Sequence, residues 1–190
     1  MGFAQKVPGY HDVQHAIDRA HSARVLIFAA ASNGGDNTDR AYPARDSNVF
    51  CIHSTNAMGN RSEFSLTAEK YTHNFATIGE AVESFWPKHL CKPDEDAVKV
   101  KSGTSYATPI AASIAAFLLL YARTNLSTEP EIANSLKRYQ AMEKLLFRVS
   151  ETSRPKKKRD DYEYIRLSQH PDTLFGKGTS VIDDTFRSST

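Results

Sequence analysis

The first pattern along the chain is helical. Between His11 and Ser22, residues Val13, Ala16, Ile17 and Ala20 recur at three- to four-residue spacing and share one face. Arg24 ends that segment. Val25 to Ala31 is then apolar without a break, which predicts a short strand buried on both faces, as in a parallel sheet. Asn33-Gly34-Gly35 stops it, and a polar loop continues to Asp46. Val49 to His53 and Phe75 to Ile78 predict two further strands, with a polar stretch between them. Trp86 to Lys99 is charged and carries prolines, so it reads as an exposed loop.

Ser102-Gly103-Thr104-Ser105 opens a long apolar helix that reaches about Arg123. Glu129 to Phe147 predicts another, with Ile132, Leu136, Met142, Leu145 and Leu146 as its apolar positions. Past Val149 the character changes to the basic cluster Arg154-Pro155-Lys156-Lys157-Lys158-Arg159, then Asp160 and Asp161. From Arg166 onward Pro, Gly, Ser and Thr dominate. The expected organisation is therefore one α/β domain over residues 1–149, and a basic linker with a loosely structured tail over 150–190. No internal repeat is visible.

Composition narrows the function classes. The chain has 190 residues, 40% hydrophobic and 24% charged, with a formal net charge of +2. That balance is ordinary for a globular protein and makes no electrostatic case for nucleic acid. Cys51 and Cys91 form neither a disulfide framework nor a C-x-x-C metal pair, and free thiols are expected. The amino terminus lacks the apolar core of a secretory signal, and Lys6 spoils a myristoylation motif at Gly2. Ile110 to Ala122 is too short an apolar run to span a bilayer and fits a buried core helix. A soluble protein, cytoplasmic or of open location, is expected. Pro155 to Arg159 offers a weak nuclear-localisation pattern against the plainer reading of a solvated linker.

The segment Gly103-Thr104-Ser105-Tyr106-Ala107-Thr108-Pro109 carries the chemistry. Gly103 lets the backbone turn tightly into a helix. Ser105 then stands at the first turn, where free N–H groups and the positive dipole end point outward. A developing oxyanion there would be stabilised. The plain alternative is a serine that merely caps a core helix.

The whole string resembles the nucleophile motif of the subtilases, the subtilisin-like serine peptidases, where serine stands in Gly-Thr-Ser-x-Ala. A second segment, Phe28-Ala29-Ala30-Ala31-Ser32-Asn33-Gly34, resembles the family's Ala-Ala-Gly-Asn, with Ser32 where glycine is usual. Tyr42-Pro43-Ala44 follows in the family's order. Asn74 to Gly79 resembles the family strand before Ala-Pro-Gly, although Ile78-Gly79-Glu80 lacks the proline. The resemblance covers about Val13 to Arg123. It implies a partial subtilisin-like parallel sheet with flanking helices and a buried central helix starting at the nucleophile. It further implies an acyl-enzyme on Ser105, and an oxyanion hole from the Asn33 amide and the Ser105 N–H. Ala30, Ala31 and Gly103 would contact a peptide or protein substrate. No cofactor and no metal is implied. Asn33 has a plain alternative of its own, as a turn former with Gly34 and Gly35.

A serine needs a base, and the base needs an acid. In this family both lie upstream, in Asp-Ser/Thr-Gly and His-Gly-Thr. None of the seven histidines is followed by glycine. Asp46-Ser47, Asp172-Thr173 and Asp184-Thr185 have the dipeptide without the glycine and lie downstream of Asn33. The expectation is a truncated peptidase that needs the upstream part of the domain for its triad, or a non-catalytic relative that acts as a binding module. Gly176-Lys177-Gly178-Thr179-Ser180 lacks phosphate-loop spacing, and Asp94-Glu95-Asp96 reads as an exposed acidic loop.

Overall fold

The computed structural model describes residues 9–36, 38–152 and 161–190, with side chains of residues 151 and 152 left aside. The basic cluster at Pro155 to Arg159 lies outside the described residues, as does the extreme amino terminus.

Helix α1 (Tyr10–Ser22) leads into strand β1 (Ile27–Ala30), and β2 (Val49–Thr55) and β3 (Phe75–Ile78) follow. The apolar run Val25 to Ala31 predicts β1, and β2 and β3 are short, largely buried segments between two packed layers, where strict alternation has no use. All three pair in parallel: Ile27 opposite Val49, and Ile52 opposite Phe75. A fourth strand, β6 (Glu163–Tyr164), pairs with β3 in parallel, so the sheet order is β1-β2-β3-β6.

Helix α2 (Thr104–Asn125) runs for 22 residues against one face of this sheet. Ala107, Ala111, Ala115 and Ala122 are buried and bring the helix backbone close, while Phe50, Ile52, Ile114 and Leu118 fill the space between. By length and composition α2 would span a bilayer, beyond what the shorter run Ile110 to Ala122 predicts. Its small-residue face instead packs on the strands, as a core helix does. The helix continues through Pro109 near its start, where a missing N–H costs least. The opposite face of the sheet is covered by α1 and the loop after β1, with Ile17, Tyr42, Val49, Cys51 and Leu66 in a second cluster.

Three expectations need correction. Glu129 to Phe147 is two helices, α3 (Pro130–Ser135) and α4 (Tyr139–Thr152). The break at Leu136–Arg138 lets Ile132 and Leu136 on one side, and Met142, Leu145 and Leu146 on the other, reach the same core. Trp86 to Lys99 is a loop only in part. It is the long tip of an antiparallel hairpin of β4 (Val82–Phe85) and β5 (Val98–Lys101). Lys99 and Lys101 each hold their ammonium 5.2 Å from the centre of the Trp86 ring.

The carboxy-terminal segment is no loose tail where it is described. Tyr162, Ile165 and Leu174 are buried, and α5 (Thr179–Ser189) inserts Ile182 and Phe186 into the main core. Tyr121 donates to Asp183 at 3.0 Å across that contact, and its Phe186 neighbour is wholly buried. Burial and this bond push the Tyr121 phenol up to about 12. The apolar spacing in α5 is sparse, but two large side chains suffice to seat it.

Candidate active site

The site is built where β1 ends and α2 begins. At the end of β1 the chain bends at Ser32, which takes φ 158°. Left-handed values of this kind suit glycine, the residue usual at this place. The bend turns Asn33 toward the first turn of α2.

Two donors converge on one atom of Asn33. The Thr104 N–H donates to Asn33 Oδ1 at 2.9 Å, and the Thr104 hydroxyl lies 3.0 Å from the same oxygen. An amide oxygen accepts and an amide nitrogen donates, so this pairing fixes which way the side chain faces. Its Nδ2 is left as a donor without an acceptor among the described residues. The Ser105 N–H, second in the helix, has no intrahelical acceptor either.

Gly103 closes the arrangement. Its φ is 153°, and a Cβ there would come within 3.3 Å of Asn33 Nδ2. Its N–H donates to the Gly79 carbonyl at 2.8 Å. At Gly79 a Cβ would meet the Gly103 oxygen at 2.9 Å and Ser54 Oγ at 2.4 Å, so close approach requires glycine there, while at Gly103 the backbone angle does. The end of β3 is thereby fastened to the segment just before Ser105.

A cavity of about 320 Å³ opens here, lined by Ala30, Ser32, Asn33, Thr38, Asp39, Ala41, Thr104 and Ser105. Asn33 and Ser105 are exposed, whereas Thr104 and Gly103 are buried behind them. Sequence reasoning thus brings Asn33, Ser105, Gly103 and Ala30 to one place. It misplaces Ala31, which is fully buried, belongs to the second core cluster and does not line the cavity. β1 ends at Ala30, and Ala31 just past it packs into the second core cluster instead. Sequence reasoning also misses Thr104 and Asp39. Thr104 lies inside the recognised motif, and its bond across 71 positions to Asn33 has no local signal.

No histidine lines this cavity among the described residues. His53 is fully buried in β2, 3.7 Å from the Cys51 sulfur and edge-on to Tyr162. Burial, helped by the Arg40 guanidinium, holds its pKa down at about 3, so it stays neutral. Burial likewise pushes the Cys51 thiol up to about 12, which keeps it an inert apolar group. Asp46 accepts from the Asn48 N–H and from Gln14, Asp172 sits by His170, and Asp184 pairs with Arg187; none lines the cavity. A roomier cavity of about 680 Å³, between Arg40, His73, Phe147 and Glu163, contains neither Ser105 nor Asn33.

A parallel sheet with a serine at the start of its central helix and an asparagine at the end of the neighbouring strand is the frame of a subtilase. The subtilase family profile matches residues 2–178, and the chain belongs to that family of serine proteases. It is 32% identical over 108 residues to subtilisin-like protease het-Q2 of Podospora anserina, covering 56% of this chain and 28% of that protein. It is 31% identical over 127 residues to thermitase of Thermoactinomyces vulgaris, covering 67% and 42%. The fold is similar to that of the prenylagaramide maturation protease PagA, with TM-score 0.62 at 18% identity, over 100% of this chain and 60% of that one. The chain therefore spans less than half the length of these curated relatives.

Proposed function

We propose that this chain carries the nucleophile and the oxyanion-binding groups of a serine endopeptidase, and that the aspartate and histidine come from sequence upstream of it. The observation that carries the reading is the Asn33 amide, anchored through its oxygen by Thr104 and left with its nitrogen as a donor in the Ser105 cavity. In the proposed reaction the base takes the Ser105 Oγ proton as Oγ bonds to the scissile carbonyl carbon. The carbonyl oxygen becomes an oxyanion and accepts from Asn33 Nδ2 and the Ser105 N–H. Collapse breaks the C–N bond, the base returns its proton to the leaving amine, and water releases the acyl group by the same steps reversed.

One observation favours a second reading, binding without turnover: no histidine lines the cavity among the described residues. The two are separated by co-expressing the chain with an upstream segment bearing the aspartate and histidine motifs. Peptide hydrolysis should appear, vanish with Ser105→Ala and drop about 10²–10³-fold in kcat with Asn33→Ala. The chain alone should hydrolyse peptides barely. Turnover that survives Ser105→Ala would overturn the proposal, and peptide binding with no turnover in the combined protein would favour the second reading.

A further inference from the structure

We infer that Asp39 makes the Ser105 cavity selective for a cationic side chain, lysine or arginine, in the bound peptide; this rests on the peptidase reading for its substrate, though not for its charge preference. Asp39 is the one ionisable side chain that lines the cavity among the described residues. The rest of the lining is small or neutral: Ala30 and Ala41 are apolar, and Thr38, Ser32, Asn33, Thr104 and Ser105 carry no charge.

Two arginines with ion pairs are directed elsewhere, and Arg45 lies over the Tyr42 ring. Arg61 pairs with Asp36, another carboxylate of the same loop. Arg40, next in sequence to Asp39, turns away to Glu69 at 3.0 Å and to Asn74 at 2.8 Å. Among the described residues Asp39 has no cationic partner, so its negative charge is available at the cavity.

The shape of the lining fits the same class of ligand. Lysine and arginine have an apolar stem and a charged end, and they settle where the stem lies on apolar surface and the end meets polar groups. Ala30 and Ala41 supply the first and Asp39 the second. A negative side chain would be repelled by Asp39, and a neutral apolar one would gain nothing from it. Asp39 is exposed, so the preference is screened by solvent and salt.

The test uses the full chain and two near-isosteric probes, cationic benzamidine and neutral benzamide, compared by NMR titration at low ionic strength. Benzamidine should bind more tightly by about fivefold, a margin that shrinks as salt rises. Asp39→Asn should erase that margin, and Asp39→Lys should reverse it in favour of benzamide. Asp172→Asn, an exposed carboxylate outside the cavity, should leave it intact. Equal binding of the two probes by the natural chain, or a margin that persists in Asp39→Asn, would refute the inference. Hydrolysis by the combined protein keeps the two proposals apart. Ser105-dependent cleavage without preference for lysine or arginine removes this inference alone. An Asp39-dependent margin without cleavage removes the peptidase reading alone.

Discussion

Ser32 is the residue where local and global demands collide. The bend after β1 requires φ 158°, and serine supplies it at a cost that glycine would avoid. Ser32 recovers a little through its hydroxyl, which accepts the Gly34 N–H at 3.2 Å. Ser32→Gly should therefore raise stability by about 1 kcal/mol, after the lost hydroxyl bond and the greater freedom of the unfolded chain are counted. Urea unfolding measures it, and a loss of stability would show that the hydroxyl matters more than the backbone. His53 makes a prediction in pH. The unfolded chain takes up a proton near pH 6.5, whereas folded His53 stays neutral down to about 3. Between those values the unfolded state binds more protons, so stability is full above pH 6.5 and falls as pH drops toward 3. The loss reaches up to about 4 kcal/mol. Unfolding curves across that window should slope for the natural chain and flatten for His53→Leu.

At the scale of elements, α5 is the place to test what the carboxy-terminal segment does. Phe186 is wholly buried, its ring 4.9 Å from that of Tyr121. Phe186→Ala should cost about 3–5 kcal/mol, as for a large side chain lost from a core. A change under about 0.5 kcal/mol would mean that α5 contributes no more than an exposed surface does. The same element shows where sequence reading ends. Strand β1 is legible as an unbroken apolar run, and β2 and β3 as short, mostly buried segments set between polar stretches. Helix α5 has only the pair Ile182 and Phe186 to mark its buried face among Ser, Thr and Asp, and β6 has two residues, too few to show a period. Val98-Lys99-Val100-Lys101 does alternate, but Val100 is exposed at 61%, and nearby charge and proline hide the strand. The site divides in the same way. Asn33 and Ser105 stand in recognisable strings, while the roles of Thr104 and Asp39 exist only once distant segments meet.

For the whole molecule, the exposed flank is β1. It pairs with β2 on one side and with no strand on the other among the described residues. Val25 at its entrance is 55% exposed, while helices cover the two faces of β1. An open, apolar edge invites pairing with another chain. The chain alone should therefore elute as mixed oligomers on size-exclusion chromatography and unfold over a broad range. Co-expression with the upstream segment should give a single species with a sharp transition. A monodisperse monomer with cooperative unfolding in the chain alone would count against the need for a further strand.

The bond from the Gly103 N–H to the Gly79 carbonyl has a consequence for how the protein tolerates change. It closes a circuit: the backbone departs at Gly79, travels out along β4 and back along β5, and returns to its point of departure before reaching Ser105. What happens along the excursion need not be felt at its base. Lengthening such a closed excursion is cheap, since each doubling of a loop adds only about 0.6 kcal/mol of closure entropy. The tip between Trp86 and Val98 is thus a natural port for inserted sequence, a tag or a whole foreign module, and grafts there should leave the geometry around Ser105 in place.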